Sequence, residues 1–143
     1  MAWETVSERG TLDVYRKYLK LYPNGAHKSQ AEKKIVDLEV ANVFNSKNYG
    51  HLPSMDKTRY GKGAYTTVTV KNDTQYTLTL LYSGMESKRI VIGSHGIQNI
   101  KLKSGSYRIV ASVNASRVQN FAGSEDLVGG SYSVNYYIST SRY

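Results

Sequence analysis

Apolar residues recur along this chain with two different periods, and the change of period divides it. Up to residue 48 the spacing is three and four. Leu12, Tyr15, Leu19 and Tyr22 fall on one face of a helix, and Val14, Tyr18 and Leu21 form a second stripe beside it. Thr11 stands where an N-cap is needed, and Asp13 lies in the first turn, where the helix dipole favours a negative charge. Pro23, Asn24 and Gly25 stop the run. A second helix follows, and Ser29-Gln30-Ala31-Glu32 has the form of a capping box at its start. Ala31, Ile35 and Leu38 make one stripe of it, and Val36, Val40 and Val43 make another. Trp3 and Val6 predict the tail of a preceding helix. Two stripes per helix require two surfaces to cover them.

Periodicity lapses over residues 49–64, "YGHLPSMDKTRYGKGA", where glycine, proline and basic residues predict a linker or long surface loop. Beyond it the period becomes two. "YTTVTVKN" and "QYTLTLLYSG" read as strands with "NDT" as the turn between them. "KRIVIG", "IQNIKLK", "SYRIVASVN" and "GSYSVNYYISTS" follow, with "ASRVQNFAGSEDLVGG" predicting one short strand plus a loop. Alternation places Tyr76, Leu78, Leu80 and Tyr82 inside, with Tyr107, Ile109, Ala111 and Val113, and with Tyr132, Val134, Tyr136 and Ile138. Val68, Val70, Ile90, Ile92, Ile100 and Leu102 complete the expected core. Thr67, Thr69, Thr77, Thr79, Arg108, Ser112, Ser133 and Tyr137 point outward. The predicted fold is α+β: a short N-terminal helical hairpin followed by an antiparallel β-sandwich of six to seven strands. The units expected are 1–48, helical; 49–64, linker; and 65–143, sandwich.

Two stretches resemble known families. Trp3, Tyr15, Leu19, Tyr22, Pro23, Gly25, Ala31, Ile35 and Leu38 make residues 3–38 similar to a tetratricopeptide-like helical unit of bacterial cell-envelope proteins, a little over one repeat. Such repeats rarely stand below about three units, so this one is expected to lean on the second half of the chain, on another copy or on sequence upstream. The resemblance implies a protein partner or an upstream domain of the same chain. Gly96, Ile100, Leu102, Gly105, Tyr107 and Ile109 resemble the Leu-x-x-Gly-x-Tyr hairpin of prealbumin-like and PEGA-type bacterial sandwiches. That likeness implies a non-catalytic accessory module in the bacterial periplasm or cell envelope. Helical spacing begins directly after Met1, so native sequence, with any targeting signal, is expected upstream.

Composition changes the picture in three ways. The 143 residues carry no cysteine, which excludes disulfides, thiolate metal sites and cysteine nucleophiles. No apolar run approaches the about 18 residues of a membrane-spanning helix. The net charge of +8 is spread along the chain and attracts polyanions through its summed field.

Catalytic patterns are missing from the sequence. His27, His51 and His95 lie in three segments at no ligand spacing, and neither HExxH nor Gly-x-Ser-x-Gly occurs. "GSHG" at 93–96 reads as a tight turn, and "YGKGAY" lacks the form of a phosphate loop. Glu125 and Asp126 are neighbours in a predicted loop. Asn72-Asp73-Thr74 and Asn114-Ala115-Ser116 have the form of glycan acceptors, but both fall at strand ends, where Asn serves turns.

The 13 tyrosines mostly take core positions; Tyr60, Tyr65, Tyr137 and Tyr143 do not. With Lys101, Lys103, Arg108 and Arg117, Tyr137 makes the candidate binding surface. The function expected is a non-catalytic interaction or adaptor module, the C-terminal part of a larger bacterial protein, because the striped helices need cover. The alternative is a module binding acidic glycan or nucleic acid through that basic, tyrosine-bearing surface. An enzyme with an unrecognised site is the weaker alternative, and no cofactor or metal is expected.

Overall fold

The computed structural model of the protein describes residues 2–138. Among them three helices precede nine strands: α1 Trp3–Arg9, α2 Leu12–Leu21, α3 Lys28–Ser46, β1 Gly50–His51, β2 Asp56–Arg59, β3 Tyr65–Asn72, β4 Leu78–Gly84, β5 Ser87–Ile92, β6 Ile97–Lys103, β7 Gly105–Val113, β8 Phe121–Leu127 and β9 Gly130–Tyr136. The strands form a five-stranded sheet, ordered β1-β8-β7-β4-β5, and a four-stranded sheet, ordered β2-β9-β3-β6. The expected α+β sandwich is therefore present. Both sheets are mixed, because β3 runs parallel to β9 and β1 parallel to β8.

The alternation places the core as expected. Val68, Val70, Leu78, Leu80, Tyr82, Ile92, Ile100, Leu102, Tyr107, Ile109, Ala111, Tyr132, Val134 and Tyr136 pack between the sheets, joined by Leu127. Tyr82 and Tyr107 meet edge to face, with ring centroids 6.2 Å apart. Ile90, Val113 and Ile138 are only partly buried, Ile138 lies beyond the end of β9, and Tyr76 precedes β4 rather than belonging to it. The stretch 49–64 contributes β1 and β2, which extend the two sheets at one side.

Strand pairing departs from the sequence reading at two turns. Neighbours in the chain were expected to pair as hairpins across "NDT" and across Ser104-Gly105-Ser106. Instead β3 and β4 lie in different sheets, and so do β6 and β7. Each turn is a corner that carries the chain over the core edge. At the second corner the Tyr107 hydroxyl donates to the Lys103 carbonyl at 2.7 Å, tying the start of β7 to the end of β6. Gly105 has φ +154°, and a Cβ on it would lie 2.3 Å from the Met85 side chain, so a larger residue there would strain the backbone and displace Met85. The Leu-x-x-Gly-x-Tyr pattern thus builds a corner of the kind that a tyrosine makes in other sandwiches.

The helices form next to the sandwich. Thr11 caps α2 by accepting the Val14 N–H at 3.3 Å, as its position predicts. The capping box at Ser29 does not form. α3 begins at Lys28 with His27 as its N-cap, which leaves Ser29 within the first turn. His27 is held by stacking on Trp3, centroids 4.7 Å apart, and by a 2.8 Å contact of Nδ1 with Gln30 Oε1. These contacts start the helix two residues early.

α3 settles the question of its two stripes. Ala31 and Ile35 pack with Val6, Tyr15 and Tyr18 of the first two helices. Val36 and Val40 pack with Leu81, Val110 and Ala122 on the outer face of the five-stranded sheet. Asp37 accepts hydrogen bonds from the Ser83 and Ser87 hydroxyls, and Glu39 pairs with Arg89 at 2.7 Å. Fully burying a valine or leucine contributes about 1.5–3 kcal/mol, whereas a surface ion pair contributes about 0–1 kcal/mol. The apolar seam therefore sets the docking, and the polar clamps set its register. Both stripes of α3 are covered from within the chain.

Candidate functional site

Four chain segments converge at the end of the sandwich where β3 and β9 finish. They are the loop after β1, the 73–77 connection, the 114–120 loop, and the residues after β9. Between them lies a cleft of about 780 Å³. Its walls are largely apolar and aromatic: Leu52, Tyr76, Val118, Phe121, Tyr136 and Tyr137. Polar groups on the same walls are His51, Ser54, Thr74, Ser112, Arg117 and Gln119. Among the described residues that line it, Arg117 and His51 are the basic groups, and there is no carboxylate.

The walls are held by asparagines. Asn72 is fully buried, and its Nδ2 donates to the carbonyls of Tyr76, Ile92 and Gly93 at 2.8, 3.1 and 3.0 Å. Its Oδ1 accepts from the Thr74 N–H and hydroxyl at 3.0 and 2.7 Å, which fixes the loop that carries Thr74 and Tyr76. Asn114 Oδ1 accepts the Thr77 N–H at 2.8 Å and anchors the opposite loop. Both Asn-x-Ser/Thr triplets serve turns, as their positions at strand ends predict. On the third wall Gly50 donates its N–H to Asn120 at 2.8 Å. A Cβ there would come within 2.9 Å of the Phe121 ring. The Gln119 amide reaches Asn48 Oδ1 at 3.2 Å.

Tyr136, buried on the core side of the cleft, has its hydroxyl pKa pushed well above the ordinary tyrosine range. Burial is the main cause, with Tyr82 and Glu125 adding to it. It stays neutral and serves as a packing surface there. Tyr137, next in the chain, is 63% exposed at the mouth.

The five candidate surface residues are dispersed. Arg117 and Tyr137 both line the cleft. Lys101 and Lys103 lie outward on β6, at the edge of the four-stranded sheet, with Lys101 Nζ 4.5 Å from the Tyr65 ring centroid. Arg108 points outward from the five-stranded sheet, its guanidinium 4.4 Å from the Phe44 ring at the end of α3. It faces away from both lysines. Tyr143 lies outside the described residues. The sequence reading does not place His51, Ser54, Thr74, Gln119 or Phe121 at a site: Thr74 reads as part of a turn and His51 as a lone histidine, and no periodicity or motif singles out the other three.

The histidines stay apart: His27 stacks on Trp3, His51 lines the cleft, and His95 takes a left-handed turn conformation. Among the described residues no three His, Asp or Glu side chains gather as a metal site, and no helix is long and apolar enough to cross a membrane. A second, smaller hollow of about 460 Å³ lies between α3 and β5, floored by Leu19, Ile35 and Val36. No family model matches the chain, and neither curated proteins nor solved structures give a match.

Proposed function

We propose that the protein is a non-catalytic binding module whose sandwich-end cleft receives an acidic saccharide. The observation that carries this reading is the cleft itself. It has the volume of an ordinary small-ligand site, aromatic walls, and, among the described residues that line it, one guanidinium and no carboxylate. A pyranose ring presents apolar C–H faces to Tyr76, Phe121 or Tyr137, and Arg117 supplies a bidentate partner for a carboxylate or sulfate. The described walls are aromatic and basic, which suits binding of an acidic sugar, whereas glycoside hydrolysis uses a pair of carboxylates.

The adaptor reading rested on stripes in need of cover, and in α3 both are covered within the chain. Nucleic acid fits less well, because the cations do not line one continuous groove. The test is titration of the chain with a uronic-acid disaccharide, followed by chemical-shift changes. Shifts are expected at Tyr76, Gln119 and Tyr137, and Arg117→Ala is expected to weaken binding about ten-fold, the worth of a hydrogen bond to a charged group. Binding that is absent, or indifferent to Arg117→Ala, removes the reading.

A further inference from the structure

The two outer faces of the sandwich are treated differently. α3 covers the five-stranded sheet, whereas among the described residues no apolar cluster lies on the outer side of the four-stranded one. Exposed sheet faces commonly carry long charged side chains; this one carries short hydroxyls in its two middle rows, and the next row toward the cleft is Asn135, Lys71 and Ile97, with Lys71 paired to Asp73 at 3.5 Å. Thr67 and Thr69 of β3 stand beside Ser131 and Ser133 of β9 in register. The outer strands carry the length. Arg59 of β2 pairs with Ser131, and Lys101 of β6 pairs with Thr67. One row thus reads Arg59, Ser131, Thr67, Lys101 across all four strands. Three strand spacings separate the two cations, about 14 Å of backbone. The result is a shallow trough with a hydroxyl floor and basic banks, extended on the β6 side by Lys103 opposite Tyr65. Asp56, in the next row, is the acidic residue on the β2 bank, and on the β6 side Glu86 accepts the Lys103 N–H at 2.7 Å and pairs with Lys88.

The trough has a direction. From Ser131 to Tyr137 the chain advances six residues, about 20 Å, and Tyr137 stands at the mouth of the cleft. We propose that this face is the track of a linear acidic polysaccharide: sugar hydroxyls meet the Ser and Thr floor, carboxylates or sulfates meet the banks, and the chain end enters the cleft. The track rests on the cleft reading for where the chain ends, and on the sheet alone for its length. Charge complementarity selects a polyanion. The floor favours sugar over nucleobase, because it offers hydroxyls rather than rings: Tyr65 lies at one end of it with one face taken by Lys101, and Tyr137 stands at the other end.

The experiment measures affinity of the full chain for heparin-derived oligosaccharides from disaccharide to octasaccharide, beside a single-stranded oligonucleotide of matched charge. Affinity is expected to rise about ten-fold with length. Lys101→Gln with Lys103→Gln should cancel the rise, at about three-fold per lysine, the size of an exposed charge contact. Arg59→Gln on the opposite bank should act in the same direction, so the outcome does not hang on one edge strand. Disaccharide binding should be unchanged by all three. Length-independent affinity, a length effect that survives these substitutions, or tighter binding of the oligonucleotide overturns the track. A lysine-dependent length effect with no disaccharide binding upholds the track and removes the cleft reading alone.

Discussion

Asn72 concentrates five hydrogen bonds on one fully buried side chain, at the corner where the chain leaves the four-stranded sheet for the other. Replacing it with alanine strands buried and half-buried carbonyls and donors, each costing about 1–3 kcal/mol where water does not reach it. Asn72→Ala is expected to lose about 3 kcal/mol in urea unfolding; a loss under about 1 kcal/mol would deny it this role. The same burial means that Asn72 cannot take a glycan in the folded chain. Glu125 has a different influence. It faces inward on β8, and burial, then the Asp126 charge, raise its carboxyl pKa. In the unfolded chain it ionises near about 4.3, so between that value and its higher folded one the native state binds more protons. Stability therefore falls as pH rises through this window. Glu125→Gln has no proton to lose, so its melting temperature should gain on that of wild type as pH rises from about 4 to 7. A difference that is constant over that range would mean Glu125 does not titrate abnormally.

At the level of elements, α3 is the joint between two packed bodies. Val40, fully buried, sits in the seam with Leu81 and Val110. Val40→Ala removes two methyl groups and leaves a void, which costs about 2 kcal/mol. Trp3, the single tryptophan, reports the helical end, while far-UV circular dichroism also samples the strands. The two probes should melt together in the native chain and separate in Val40→Asp, where the seam is charged. Coincident curves in both proteins would mean that something other than this seam couples the two parts. These elements were largely legible: spacing of three and four located α2 and α3, and alternation located the core faces of β3, β4, β6, β7 and β9. Pairing was not legible, because alternation states which face is inward and never which strand lies alongside. The corners at Asn72 and Gly105 carry ordinary turn residues, and only the burial of both flanking strands from opposite sheets distinguishes them from hairpins. β1 and β2 are too short and polar to show a period. For the same reason the cleft was half hidden. Arg117 and Tyr137 stood out as a cation and an unburied ring, but His51, Thr74 and Gln119 are brought to it by loops far apart in the chain.

For the whole molecule, the contrast between the two outer faces decides which parts depend on each other. The four-stranded sheet faces water with hydroxyls and needs no cover. The five-stranded sheet presents Leu81, Val110 and Ala122 outward, and these are buried only because α3 lies on them. Removing residues 2–46 takes away α1, α2 and α3 and opens that surface to water. The sandwich keeps its internal core of residues from β3, β4, β5, β6, β7, β8 and β9, so it retains the means to fold. What it lacks is a wet exterior on one side. The fragment 47–143 should therefore fold and self-associate, with sedimentation showing a concentration-dependent rise in mass. Leu81→Thr with Val110→Thr should restore the monomer, because threonine suits a strand and tolerates water. The same two substitutions in the full chain should act in the opposite sense, lowering the melting temperature by stripping the seam of its apolar contacts. If the fragment is monomeric without them, the helices serve some purpose other than covering the sheet.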